Sequence, residues 1–236
     1  MFLELKEGAF LVGDAHYSHK RVHFLEFLKA IKSKDLKPTQ LILLGDIFDT
    51  LFGEVSYTHK QNSEAISLLN NISKNIEVVY LEGNHDFNLA TIFPKVKVFP
   101  IESQPITMSF GSKKVLLSHG DNLNSKKYHI YSAIIRNSSV LRFLSLLDRL
   151  LNHKILKKLD EYLAKKDDCR EFSGFFEFMQ NRLSGFECDY FVEGHFHQNK
   201  RFEIDGFTYI NLAAFACNQR YFIVESTDKF IVEKLL

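Results

Sequence analysis

Residues 41–49, LILLGDIFD, place four apolar side chains directly before Gly45, Asp46 and Asp49. Such a run has the length of one buried strand, and the abrupt change to Gly and Asp marks where the strand gives way to a loop. The same design recurs in residues 9–16 (AFLVGDAH), 78–86 (VVYLEGNHD), 115–121 (VLLSHGD) and 190–197 (YFVEGHFH). Between the first three lie segments of helical periodicity, one with Phe24, Leu25, Phe27, Leu28 and Ile31 on a face, the other with Ala65, Ile66, Leu68, Leu69 and Ile72. The first half therefore reads as βαβαβ, and in such sheets ligands gather beyond the carboxyl ends of the strands. Five strand ends bearing Asp, Asn or His are predicted to share one pocket. Further apolar runs, FTYINL, YFIVES and KFIVEKL, have strand length and would close a second sheet.

The residues at those ends suit divalent cations. Asp14 and His16, at i and i+2 just past a strand, can project to one side and offer an oxygen and a nitrogen. Asp46 has two carboxylate oxygens and can bridge two cations roughly 3.5 to 4 Å apart, as two-metal hydrolases require. Asn84 offers a neutral oxygen, and His119, His195 and His197 complete a mixed nitrogen and oxygen set. Imidazole with carboxylate suits manganese, iron, zinc or cobalt better than calcium. Beside Asn84, His85 projects elsewhere and can donate to a phosphoryl oxygen, with Asp86 placed to hold its tautomer and Asp49 able to orient a ligand. His19, His23, His59, His129 and His153 fall on predicted helices or their edges and read as solvated or structural.

The ordered series D-x-H, G-D-x-x-D, G-N-H-D, G-H and G-H-x-H resembles the calcineurin-like metallophosphoesterases from about Phe10 to Tyr209. The resemblance implies a four-layer α/β/β/α sandwich of two mixed sheets. It also implies that Asp14, His16, Asp46 and His197 hold one cation and that Asp46, Asn84, His119 and His195 hold the other. Hydrolysis would follow, with an activated water attacking phosphorus in line and no covalent enzyme intermediate.

Composition removes other classes. With 236 residues, 45% of them hydrophobic, the chain can bury a substantial core as a single domain spanning 1–236. A formal net charge of +1 lacks the basic excess of a dedicated nucleic-acid binder, although a local patch stays open. The opening MFLELKEGAFLVGD mixes acids among apolar residues, unlike a signal peptide, and no stretch approaches eighteen uncharged apolar residues. Cys169, Cys188 and Cys217 are odd in number and lack C-x-x-C spacing, which predicts neither disulfide nor thiolate zinc and fits a reducing cytoplasm.

From Lys126 to Lys166 the strand series is interrupted by a helical stretch in which ten Lys and Arg face three Asp and Glu. It is predicted to form a cap inserted at about residues 124–186. Leu and Ile on one face and cations on the other suit an anionic lipid, or simply helix packing with a solvated basic side. HGDNL followed by Tyr128, Tyr131 and Arg136 resembles the insert of the UDP-2,3-diacylglucosamine hydrolases of lipid A synthesis, cytoplasmic enzymes associated with the membrane. Their widespread form has Arg where this chain has His85. The resemblance implies cleavage of a pyrophosphate bond to UMP and 2,3-diacylglucosamine 1-phosphate, with Asp121, Asn122, Tyr128 and Arg136 as head-group contacts and the membrane surface as peripheral partner. A soluble phosphodiesterase or phosphatase of nucleotides, and a binding scaffold without turnover, are the alternative readings.

Overall fold

The computed structural model of the chain describes residues 3–123, 126–166 and 169–236, so the expected insertion boundary at 124 and the side chain of Lys126 lie outside the described residues. The first half runs β1 (Leu3–Glu4), β2 (Phe10–Val12), α1 (His23–Ser33), β3 (Gln40–Leu43), β4 (Leu51–Phe52), α2 (Ser56–Gln61), α3 (Ser63–Ile72), β5 (Glu77–Leu81) and β6 (Asp86–Phe87). There follow β7 (Lys97–Phe99), β8 (Ile106–Phe110), β9 (Lys113–Ser118) and four helices, α4 (Lys126–Ile135), α5 (Ser138–Leu150), α6 (Lys154–Leu163) and α7 (Phe175–Leu183). The chain closes with β10 (Tyr190–Glu193), β11 (Lys200–Ile204), β12 (Phe207–Asn211), α8 (Phe215–Asn218), β13 (Arg220–Val224) and β14 (Ile231–Leu235).

Two six-stranded sheets result, in the orders β14-β13-β2-β3-β5-β7 and β1-β8-β9-β10-β12-β11. Each mixes parallel and antiparallel pairs, with β2, β3 and β5 parallel in one and β9, β10 and β12 parallel in the other. Strand alternation sorts the core into layers. On β3 and β5, Leu41, Leu43, Val78 and Tyr80 face α1 and α3. Ile42, Val79 and Leu81 face the other sheet and meet Val115, Leu117 and Val192 there. Leu116, Phe191, Phe207 and Tyr209 emerge on that sheet's far side against Phe175, Met179 and Leu183 of α7. This is the four-layer α/β/β/α sandwich, and it brings the carboxyl ends of β2, β3, β5, β9 and β10 to one edge.

The basic stretch is not one continuous helix. Asn137 ends the first piece by capping the next, accepting from Ser139 N and Val140 N at 3.0 and 3.2 Å. Asn152 and His153 then turn through positive φ of 53° and 60°, and buried Asp148 accepts from Ile155 N and Leu156 N at the start of α6. No helix among the described residues is long and apolar enough to cross a membrane.

Two buried arginines pin this helical segment to the strand ends. Arg136 pairs with Glu82 at 3.4 Å, and Arg182 grips Glu193 at 2.8 and 3.0 Å while donating to Gly120 O. Tyr209 Oη also donates to Glu193. Because Glu193 is fully buried, Arg182→Ala would strand a charge, and a loss of about 3–5 kcal/mol in urea unfolding is expected. A loss below about 1 kcal/mol, the range of an exposed pair, would show the contact to be dispensable.

One expectation is overturned. Cys169 and Cys217, 48 residues apart in sequence, form a disulfide, while Cys188 remains free. Neither spacing nor motif announces a pairing that the fold creates by bringing the end of the basic stretch against α8. The inference of a reducing compartment from cysteine spacing loses its footing accordingly. Burial pushes the Cys188 thiol up to about 11, leaving on the order of one thiolate in a thousand at pH 8. Iodoacetamide at that pH should therefore label the protein slowly, and reduction should add two fast-reacting thiols by mass spectrometry. Rapid labelling of all three cysteines without reductant would refute the pairing.

Candidate active site

Each motif occupies the loop directly after a strand, and the loops are bent hard. Asp14, His16, Asp46, His195 and His197 all take left-handed backbone, with φ of 53°, 44°, 50°, 61° and 61°. For residues other than glycine this costs on the order of 1–3 kcal/mol each, so the surroundings must enforce it. Asp86 does so for the second loop: its buried carboxylate accepts from Asp46 N, Ile47 N, Phe48 N, Gly83 N and Tyr80 Oη at 2.6 to 3.1 Å. Asp14 likewise accepts from His195 N, joining the first loop to the last. Close approach needs glycine, since a Cβ at Gly83 would collide with the Asp46 carboxylate and one at Gly194 with that of Asp14.

The donors converge. Asp14, His16 and His197 have ligand atoms within 4.8 Å of one another, and so do Asp46, His119 and His195. His16, Asp46 and His85 form a third such group, so Asp46 stands between the clusters. His197 Nε2 lies 3.0 Å from Asp14 Oδ1, and His119 Nε2 lies 3.5 Å from Asp46 Oδ2 and 3.4 Å from Asn84 Oδ1. The Leu44 carbonyl accepts from His119 Nδ1 at 2.8 Å, which fixes the tautomer and turns Nε2 toward the carboxylates. His85 is fixed in the same way, donating from Nδ1 to Asp49 O at 3.0 Å with Nε2 left facing Asp46 at 3.9 Å.

This donor set fits cations. Nε2 of His16 is buried without a hydrogen bond, whereas its Nδ1 lies 3.3 Å from Oδ1 of Asp49 and leans on that carboxylate alone. An orphaned polar atom of this kind calls for a partner. Burial opposes ionisation of Asp46, yet the charges of His119 and His85 overcome it and hold the carboxyl well below the usual range. Asp14 is held low in the same way by His197 against its burial. Against the cost of burial, Asp46 holds His119 well above the ordinary histidine range, whereas burial and the His119 charge push His195 down to about 4. The carboxylates thus stabilise positive charge at the centre, where a divalent ion would replace a proton.

Four predicted contacts sit differently from expectation. Asp86 does not touch His85, whose tautomer is set by the Asp49 carbonyl. Adjacent residues entering a strand face opposite ways, and Asp86 begins β6 turned toward the backbone of residues 46–48. Burial and the Asp46 charge raise its carboxyl to about 7. Asn122 is also turned inward, accepting from Ser118 Oγ and donating to Gln104 O, so it is no head-group contact. Asp121 is fully buried and accepts from Tyr128 Oη at 2.7 Å. Arg136 donates to Gly83 O and Ser132 Oγ and stacks over Phe87, so its guanidinium braces the GNHD loop. Tyr128 and Arg136 nevertheless line the cavity described next.

That cavity, about 340 Å³, lies between the helical segment and the sandwich. Phe52, Phe87, Leu141, Leu144, Leu156 and Leu159 form its walls, and Asn84 and His85 form the end beside the donor clusters. Sequence reasoning missed Glu82 and Glu193, each one residue before a glycine at the end of an apolar strand. An acid in that setting was the available signal, because burial there requires a partner such as Arg136 or Arg182.

Residues 10–199 match the calcineurin-like phosphoesterase family profile. The UDP-2,3-diacylglucosamine hydrolase of Blochmanniella pennsylvanica is 30% identical over 142 residues, which is 57% of this chain and 56% of that protein's own length. The enzyme of the same name from Proteus mirabilis is 23% identical over 79% of this chain and 80% of its own. A solved archaeal phosphodiesterase superposes over 97% of this chain and 99% of its own, at 15% identity and a TM-score of 0.48.

Proposed function

The chain belongs to the calcineurin-like phosphoesterase family, a metal-dependent hydrolase of phosphoester or pyrophosphate bonds, and on that footing we propose that it hydrolyses the pyrophosphate of UDP-2,3-diacylglucosamine. Water adds across the P–O–P bridge and yields UMP and 2,3-diacylglucosamine 1-phosphate. The observation that carries this choice is the apolar cavity ending on Asn84 and His85, which joins a space for acyl chains to a site for phosphorus chemistry.

In this reading residues 124–186 are a cap within a single domain spanning 1–236. Asp14, His16, Asp46 and His197 would hold one cation, and Asp46, Asn84, His119 and His195 the other. Manganese is the metal proposed, with iron, zinc or cobalt also suited to these donors. When bound, the cations lower the pKa of water and neutralise charge on phosphorus oxygens. His85, locked through Asp49 O, presents Nε2 to a phosphoryl oxygen and donates there when the ring is doubly protonated. Asp86 positions Asp46 by holding the NH groups of its loop. Tyr128 and Arg136 shape the cavity floor, Arg136 by fixing Gly83.

Ile130, Phe143, Leu146, Leu150 and Tyr162 are more than half exposed on helices rich in Lys and Arg. We read these as a seat on an anionic membrane surface.

Incubation of the manganese-loaded protein with UDP-2,3-diacylglucosamine, followed by mass spectrometry, should show the two monophosphates. Efficient turnover of a nitrophenyl diester with the lipid nucleotide left intact would favour a soluble phosphodiesterase. Leu144 lines the cavity, so Leu144→Gln should raise KM for the diacylated substrate about threefold to tenfold. An equal loss on a short soluble ester would assign Leu144 to packing instead.

A further inference from the structure

A second cavity, about 480 Å³, opens on the other side of the donor clusters, where Lys166, Arg170, Phe172, Phe196 and Gln198 meet His195 and His197. The two cavities are divided only by the site. The ring of His85, at the end of the apolar cavity, lies 4.9 Å from that of His16, which lies 5.6 Å from that of His197 in the second. A substrate centred on the donor clusters therefore has room for one substituent in each cavity. The chemistry of the walls differs accordingly: mostly aliphatic and aromatic carbon on one side, with Arg136 and Asp148 at its margin, and Lys166, Arg170 and two phenyl rings with the single acid Glu171 on the other.

We propose that this second cavity is the seat of the nucleoside monophosphate half of the substrate, with Arg170 on its phosphate or ribose and Phe172 against its base. The inference rests on the lipid-nucleotide reading above and adds where the polar half binds. Guanidinium groups pair with phosphate oxygens in a fork, and exposed phenyl rings offer a stacking face for a base. Phe172 is 38% exposed while packing against Phe175 and Phe178, which leaves one part of the ring accessible on a fixed support.

The wall is built to stay in place. Gln198, next to His197, accepts from Phe172 N at 2.7 Å, donates to Arg170 O at 3.0 Å, and is itself held by Asn211 Oδ1. Cys169, the neighbour of Arg170, is bonded to Cys217 on α8, and Ala216 N donates to Asp14 O. The segment bearing Arg170 and Phe172 is therefore tied to both loops of the first donor cluster. Such preorganisation lowers the entropy lost when a ligand binds.

The test uses the manganese-loaded, disulfide-intact protein and two product inhibitors, UMP and 2,3-diacylglucosamine 1-phosphate. Arg170→Ala and Phe172→Leu should each raise the inhibition constant of UMP, about tenfold for the arginine, and leave that of the lipid product within twofold. Leu144→Gln should do the reverse. Cys169→Ser, which releases the wall, should weaken UMP in the same direction as Arg170→Ala. Unchanged UMP inhibition in both Arg170→Ala and Phe172→Leu, or equal weakening of both products, overturns the assignment. Should the wild-type protein leave UDP-2,3-diacylglucosamine intact, the substrate reading fails, and calorimetric titration with UMP still decides the cavity: binding lost in Arg170→Ala upholds a nucleotide site, and no binding refutes it.

Discussion

Asp46→Ala is expected to lower turnover by a factor on the order of 10³ or more and to leave a protein that no longer retains two cations. Asp46 is the carboxylate common to two of the three donor groups, with His119 Nε2 3.5 Å and His85 Nε2 3.9 Å from its Oδ2. Its Oδ1 meanwhile accepts from His85 N at 2.8 Å, so the same carboxylate also sets the position of the GNHD loop. Loss of the side chain leaves each set of histidines without a shared anion. Asp46→Asn, which keeps size and one oxygen, should retain the fold yet show the same defect, and a thermal melt near that of the parent would confirm that folding is not the cause. Metal analysis and kcat on the two variants check the claim. Turnover within tenfold of the parent would remove Asp46 from the account.

His85→Ala should lower kcat by about 10² to 10³, the usual loss on deleting one donor to a developing oxyanion. In contrast to Asp46→Ala, it should leave metal content unchanged, because neither donor cluster named for the cations includes His85. The ring is buried, and burial holds it below the ordinary histidine range, so it acts as a neutral donor through Nε2 only if that nitrogen carries the proton. The Asp49 carbonyl can only accept, which fixes a proton on Nδ1. A donor at Nε2 therefore requires the doubly protonated ring, a state that the anionic substrate beside it would favour. His85→Arg, permanently charged and able to donate, should recover much of the loss. A His85→Arg protein as slow as His85→Ala would show that shape, not donation, is what the position supplies.

What was legible in the sequence follows from scale. Each candidate donor sits within four residues of the end of a short apolar strand, so local pattern was enough to place Asp14, His16, Asp46, Asn84, His119, His195 and His197 at the strand ends that the fold gathers. The sandwich was legible for the same reason, because Leu41 and Ile42, or Val78 and Val79, are apolar on both faces and must be covered on both. Partnerships between distant residues were not. Cys169 finds Cys217, Arg182 finds Glu193 and Arg136 finds Glu82 only once the helical segment folds back. Asp86 adjoins His85 in sequence yet does not touch it, because strand geometry turns neighbours apart. Asn122, a polar residue just after a donor motif, is occupied by Ser118 and Gln104, partners that its sequence position does not announce.

Anomalous diffraction from crystals grown with manganese would locate the cations among the candidate donor side chains. Two peaks roughly 3.5 to 4 Å apart are predicted, with the Asp46 carboxylate between them, His16 and His197 on one and His119 and His195 on the other. A manganese-saturated crystal with no peak among these side chains, or with peaks that do not share Asp46, would contradict a two-cation centre bridged by Asp46.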